Sequence, residues 1–159
     1  MKLPLLGEFK VVTLRECPPD SRRVTTADEA AAYWRLHVVN DPRFNSEVET
    51  LIGLALSTSQ HVMGHFLVST GTLDTILVHP REVFRPAIIA AASAIILIHN
   101  HPSGDWTPSE RDIRNTRELI GAGNVIKIHL LDHVIMGRVT PERSKDYCSL
   151  RELGYFAMK

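Results

Sequence analysis

The spacing of hydrophobic and polar residues predicts alternating helices and strands along this 159-residue chain. A helix is predicted where Thr25 and Thr26, followed by two acids, precede the segment AAAYWRLHVV, and Asn40-Asp41-Pro42 ends it. The segments ETLIGLAL and HVMGHFLVS, separated by the polar STSQ, predict an antiparallel pair of strands. The run 94–98 is apolar at every position, which is typical of a strand buried on both faces.

Two further helices are predicted in the second half of the chain. Residues 80–94 have a helical composition, but Pro86 predicts a break or kink near Arg85, because proline removes a backbone donor. Another helix begins at Ser109, and Gly121 and Gly123 predict its end. Short strands are predicted over 8–16, 75–78, 125–131 and 132–137. The pattern as a whole predicts an α/β (α+β) domain with one mixed sheet flanked by helices.

Composition and charge narrow the classes of partner and location. The chain is 44% hydrophobic and 23% charged, the balance of a globular protein. Lys plus Arg equals Asp plus Glu at 18 each, so a nucleic-acid partner is possible but unsupported by charge. Cys17 and Cys148 form no disulfide framework, which predicts a reducing, cytoplasmic location. The first ten residues hold too short an apolar run for a signal peptide, and no membrane span is predicted.

Candidate chemistry is concentrated in HNHPSGDWTPSERD, residues 99–112. His99 and His101 follow the buried strand and are two residues apart, so both side chains can face the same side. Asp112 comes from the first turn of the next helix, after a Pro-Ser-Gly bend. Two histidines and a carboxylate are a standard ligand set for a catalytic metal with one position left to water.

Simpler interpretations exist for the same residues. Ser109 and Asp112 have the spacing of a helix-capping pair, which stabilises a helix without any metal. A pair of histidines is also more often exposed or hydrogen-bonded than bound to an ion. The conjunction of the histidine pair, a buried strand end, a turn and a downstream acid favours the metal site, because active sites prefer such strand ends.

The full spacing resembles the JAMM motif of the MPN/JAB metalloprotease superfamily. The motif consists of His99-x-His101-Pro102 and Ser109-x-x-Asp112, with seven residues between His101 and Ser109. More narrowly, four segments resemble the RadC-like JAB branch: TGTL (70–73), VHPREVF (78–84), HNHPSG (99–104) and LDHVIMG (131–137). The resemblance covers about residues 46–154. It implies a JAB/MPN-like (cytidine-deaminase-like) domain over 46–159, after an N-terminal extension over 1–45 with a strand, a helix and no recognisable helix-hairpin-helix.

The resemblance also implies roles for individual residues. His99, His101 and Asp112 would bind Zn²⁺, Glu49 would accept the proton of the activated water, and Ser109 would stabilise the developing oxyanion. Glu47 is the rival of Glu49, because it is two residues away in the same segment. His79 and His133 belong to the family motifs, and either a place lining the site or a packing and hydrogen-bonding role remains open for each.

The implied function is a zinc-dependent metallopeptidase or isopeptidase that hydrolyses an amide bond. One alternative is a non-catalytic accessory module associated with DNA repair or mobile elements. A second is a scaffold with structural zinc, against which the three-ligand set argues, since structural sites are normally closed by four protein ligands. The sequence specifies neither the peptide or protein substrate nor the oligomeric state.

Overall fold

The computed structural model describes residues 15–16, 22–71 and 78–157. Within that part of the chain, six strands form one sheet in the order β1-β3-β2-β4-β5-β6. The strands are β1 (Arg15–Glu16), β2 (Glu49–Leu56), β3 (Val62–Gly71), β4 (Ala94–Asn100), β5 (His129–Met136) and β6 (Tyr147–Ser149). Strands β4 and β5 are parallel, and every other pair is antiparallel. The predicted mixed sheet is therefore confirmed.

Helices cover both faces of the sheet. They are α1 (Ala27–Tyr33), which continues as a π-helical turn over Trp34–Val38, α2 (Pro80–Ile89) and α3 (Glu110–Ile126). The first core, under α1, includes Trp34, Ile52, Leu54, Ile96, Ile98 and Val134. The second, under α2 and α3, includes Leu51, Val83, Phe84, Ile95, Leu97 and Leu119. Among the helices of the described residues, none is long and apolar enough to cross a lipid bilayer.

Helix α1 begins where the sequence predicts it, at a capping box. The Thr26 side chain accepts from the backbone N–H of Glu29, and the Glu29 carboxylate accepts from the backbone N–H of Thr26. Ala30 and Trp34 then pack into the core shared with β2 and β4. The helix of the predicted extension thus contributes to the core of the sheet, while the boundary at residue 45 stays a prediction.

The predicted hairpin and buried strand are both present. Strands β2 and β3 pair antiparallel, and β4 lies between β2 and β5 with every residue buried. The predicted strand over 8–16 is described only at Arg15–Glu16, and residues 72–77, which hold most of the predicted strand over 75–78, lie outside the described residues. Part of TGTL falls in the same gap.

The predicted end of α3 is wrong. The helix continues through Gly121 and Gly123 to Ile126, and Lys127 ends it in a left-handed conformation. Gly123 serves packing, because a Cβ there would lie 2.5 Å from the carbonyl oxygen of Ile128. The two strands predicted over 125–131 and 132–137 are consequently one strand, β5, which starts only at His129.

Of the predicted break or kink near Arg85, the break is wrong, since α2 runs without interruption from Pro80 to Ile89. Pro80 occupies the first helical turn, where no intrahelical donor is needed. Pro86 lies near the other end, so the helix loses a single backbone hydrogen bond, to the carbonyl of Glu82.

Candidate metal centre

Two strands, β2 and β4, direct polar side chains to the face of the sheet that α3 covers. Side chains alternate between faces along a strand, so His99 follows Leu97 on this face of β4, and Glu49 precedes Leu51 on β2. Leu51 is paired with His99 across the two strands. The first turn of α3 then brings Asp112 over the end of β4, and these elements converge at one point.

The geometry of the cluster suits a metal ion. The Nε2 atoms of His99 and His101 are 3.0 Å apart. Asp112 Oδ1 lies 3.5 Å from Nε2 of His99, and Oδ2 lies 3.4 Å from Nε2 of His101. Ligand bonds of 2.0–2.2 Å in a tetrahedral site place neighbouring donor atoms about 3.3 Å apart. One ligand atom from each of the three side chains lies within 4.8 Å of the others, so together they could hold a metal ion.

The other ring nitrogen of each histidine has its own partner. His101 Nδ1 lies 2.7 Å from the carbonyl oxygen of Asp105, which can only accept, so Nδ1 carries the proton. His99 Nδ1 lies 2.8 Å from Nε2 of His133. Both rings consequently turn Nε2 toward the cluster. Two such nitrogens 3.0 Å apart need a proton or a cation between them.

Asp112 belongs to the helix cap and also faces the two histidines, so the two interpretations of the sequence are compatible. Its Oδ2 accepts hydrogen bonds from the backbone N–H of Ser109 at 2.8 Å and from the Ser109 hydroxyl at 2.6 Å. The Ser109 oxygen in turn accepts from the backbone N–H of Asp112 at 3.1 Å, which completes a capping box. The same carboxylate faces both histidines. The helix cap thus holds the Asp112 carboxylate beside both histidines.

The structure brings Glu49 to the cluster and keeps Glu47 away from it. Glu49 is the first residue of β2, and its Oε1 lies 4.0 Å from Nε2 of His99. Glu47 is exposed in the turn before the strand, where its backbone N–H donates to the side chain of Asn45. The catalytic role of Glu49 stays a prediction.

Asn100, between the two histidines, holds the backbone on both sides of Glu49. Its Oδ1 accepts from the backbone N–H of Thr50 at 2.9 Å, and its Nδ2 donates to the carbonyl of Val48 at 3.1 Å. No local sequence pattern predicts this contact, because it depends on how β2 and β4 pair.

The protonation of the cluster follows from burial and close charges. Burial raises the pKa of Glu49, and the negative charge of Asp112 raises it further. Burial also raises the pKa of Asp112, but the interaction with His101 and the hydrogen bonds from Ser109 outweigh it, so this pKa lies well below its usual range. Burial lowers the pKa of His101, but Asp112 and the carbonyl of Asp105 outweigh it, so this pKa is raised. Burial keeps the pKa of His99 low.

The two further motif histidines have different surroundings. His133 is 3% exposed and lies between Nδ1 of His99 and the hydroxyl of Thr116, at 2.8 Å and 2.7 Å. Burial lowers the pKa of His133 to about 4. His79 is exposed at the N-cap position of α2, where its side chain makes no capping hydrogen bond. Of the two, only His133 contacts a residue of the cluster.

Comparison with known proteins identifies one protein family and relatives that share one name, UPF0758. The model of the RadC-like JAB domain matches residues 24–155, so it begins earlier than the resemblance noted from the motifs. A UPF0758 protein of Bacillus velezensis is 44% identical over 119 residues, which cover 75% of this chain and 48% of that protein. A UPF0758 protein of Staphylococcus carnosus is 40% identical over 134 residues, 84% of this chain and 54% of that protein. A UPF0758 protein of Desulfitobacterium hafniense is 50% identical over 101 residues, 64% of this chain and 42% of that protein.

The chain spans about half the length of these relatives. The family match nevertheless covers α1, all of β2 to β6 and the whole metal cluster. The family match, together with the mixed sheet and the cluster, shows that the chain belongs to the family of RadC-like JAB domain proteins.

Proposed function

We propose that this protein is a zinc-dependent metallopeptidase or isopeptidase that hydrolyses an amide bond with Glu49 as the general base. One observation carries the proposal: two Nε2 atoms 3.0 Å apart share the carboxylate of Asp112, with a second carboxylate, Glu49, 4.0 Å from His99. The three ligands leave room for a fourth, which is the arrangement of a catalytic rather than a structural zinc site.

The donor set fits zinc, since imidazole nitrogens and a carboxylate oxygen are its usual ligands besides thiolates. When bound, zinc would lower the pKa of a water toward about 7 and polarise the substrate carbonyl. Glu49 would take up the proton at its carboxylate and deliver it to the leaving amine, a task for which its raised pKa is suited. Ser109 would turn its hydroxyl from Asp112 to the oxygen of the substrate carbonyl.

The charge balance does not favour the DNA-associated alternative, because Lys plus Arg and Asp plus Glu are equal at 18 each. A cytoplasmic location is part of the proposal. Cys148 is a buried free thiol in a sequence with two cysteines, which fits a reducing compartment.

The first test measures metal content and cleavage together. Purified protein should hold about one zinc per chain, and His101→Ala and Asp112→Ala should lose it. A peptide-library cleavage profile of the zinc-loaded protein should contain products that the metal-stripped protein does not form. Identical profiles, or unchanged zinc in both variants, would reject the proposal.

The second test separates the base from its neighbour. Glu49→Gln keeps the size of the side chain and removes the base, so turnover should fall by about 100 to 10,000-fold while zinc content remains. Glu47→Gln is the matched control, because Glu47 is exposed and outside the strand. Full turnover in Glu49→Gln would exclude this residue as the base.

A further inference from the structure

We propose that His133 and Thr116 are positioning residues that keep the ring proton of His99 on Nδ1 and thereby present its Nε2 to the metal. This inference rests on the proposed metal site. It concerns a motif histidine to which the sequence assigned no role, and a threonine that no motif includes.

His99, His133, Thr116 and the backbone of Asp112 form a series of hydrogen bonds, and the contact of Thr116 with Asp112 sets their direction. The Thr116 hydroxyl lies 2.6 Å from the backbone carbonyl of Asp112, which can only accept, so the hydroxyl proton points there. The Thr116 oxygen must then accept from Nδ1 of His133, 2.7 Å away. His133 is buried, and its two ring nitrogens face Thr116 and His99, so with its single ring proton on Nδ1 its Nε2 is an acceptor.

The same logic reaches the candidate ligand. Nε2 of His133 lies 2.8 Å from Nδ1 of His99, which must therefore be the protonated nitrogen of that ring. His99 is left with its lone pair on Nε2, the atom that faces His101 and Asp112. A metal binds only this unprotonated nitrogen.

The same series of hydrogen bonds connects two of the candidate metal ligands. It starts at His99 on β4, passes through His133 on β5 and Thr116 on α3, and ends at the backbone of Asp112 in the first turn of that helix. Thr116 is 0% exposed and His133 is 3% exposed, so water does not compete for these bonds. Hydrogen-bond partners of this kind orient metal ligands and typically change metal affinity by 10 to 100-fold.

The test uses paired variants that remove or keep each link. Thr116→Val removes the hydroxyl at nearly constant volume, and Thr116→Ser retains it. His133→Phe removes both ring nitrogens, and His133→Gln offers an amide oxygen near the position of Nε2. Melting curves select the variants that fold. Nitrogen-15 NMR of the metal-free protein then reports which nitrogen of His99 carries the proton, and chelator competition reports zinc affinity.

Wild type and Thr116→Ser should show the proton on Nδ1 of His99, whereas a folded Thr116→Val should lose this preference and bind zinc about 10 to 100-fold more weakly. His133→Gln should bind more tightly than His133→Phe. A wild-type proton on Nε2, or equal zinc affinity in Thr116→Val and Thr116→Ser, overturns the inference. If wild type shows the proton on Nδ1 but binds no zinc, the hydrogen-bond chain is supported and the proposed function fails.

Discussion

Replacing Ser109 by alanine should weaken the cap of α3 but leave metal binding in place, whereas replacing Asp112 by asparagine should remove metal binding. The Ser109 hydroxyl accepts from the backbone N–H of Asp112 at 3.1 Å and donates to its carboxylate at 2.6 Å. Alanine loses both bonds, but the Ser109 backbone N–H still holds Oδ2 at 2.8 Å. Asparagine keeps an oxygen for that N–H and replaces the other carboxylate oxygen with a donor.

The two effects differ in size and in their dependence on zinc. Loss of a helix N-cap costs about 0.5–2 kcal/mol, and 1 kcal/mol lowers the Tm of a domain of this size by about 2–4 °C, so Ser109→Ala should melt about 1–8 °C lower with or without zinc. Free zinc at about 100 times its Kd adds about 2.7 kcal/mol, or about 5–11 °C. Ser109→Ala should keep this increment and Asp112→Asn should lose it.

The assay is a pair of melting curves for each protein, one with chelator and one with zinc. Thr26→Ala is the matched control, because it removes the same kind of cap from α1, whose core lies on the opposite face of the sheet. A full zinc increment in Asp112→Asn would show that Asp112 only caps the helix. If zinc no longer raises the Tm of Ser109→Ala but still raises that of Thr26→Ala, the cap at Ser109 and the metal site cannot be separated, and the reasoning is refuted.

Four more outcomes follow from the same geometry. Because the pKa of His101 is raised above 6.5, protons should compete with zinc for His101 already above that pH, so zinc affinity should fall as pH decreases from about 8 to about 6. A constant zinc affinity over this range would contradict the expectation. Because the pKa of Glu49 is raised, its negative charge destabilises the folded state as pH rises. Metal-free Glu49→Gln should therefore have a higher Tm than wild type at about pH 7, and the difference should disappear below about pH 4. Equal Tm values at neutral pH would contradict this. Asn100→Ala leaves two backbone groups beside Glu49 without partners and should lower the free energy of unfolding in urea by about 1–3 kcal/mol. An unchanged midpoint and slope would show that the two Asn100 hydrogen bonds do not stabilise the fold. Fluorescence anisotropy should detect only weak duplex DNA binding at physiological salt, and sub-micromolar affinity with a steep salt dependence would favour the accessory-module alternative.

The features that the sequence predicted correctly depend on neighbours along the chain. The capping boxes at Thr26 and Ser109 need only a hydroxyl and an acid three residues later. The β2–β3 hairpin needs two apolar segments and a polar turn, and β4 is apolar over residues 94–98. Local patterns of this kind are visible before any tertiary contact is known.

The features that the sequence missed depend on contacts between distant residues. Gly123 lies inside α3, where a Cβ would come within 3.1 Å of the Phe84 ring on α2, whereas the sequence alone favours glycine as a helix end. The contacts of Asn100 with Val48 and Thr50 require the pairing of β2 with β4. None of these contacts leaves a periodic signal in the sequence.

The surroundings of the two carboxylates support their proposed division of labour. Asp112 receives hydrogen bonds from the Ser109 backbone and hydroxyl and faces both histidines, so its pKa is low and it stays anionic, as a metal ligand must. Glu49 lies 4.0 Å from His99, and both burial and the charge of Asp112 raise its pKa. Two acids whose surroundings push their pKa values in opposite directions are suited to different tasks. The anion held by the helix cap is the better ligand, and the acid that binds a proton more readily is the better proton carrier.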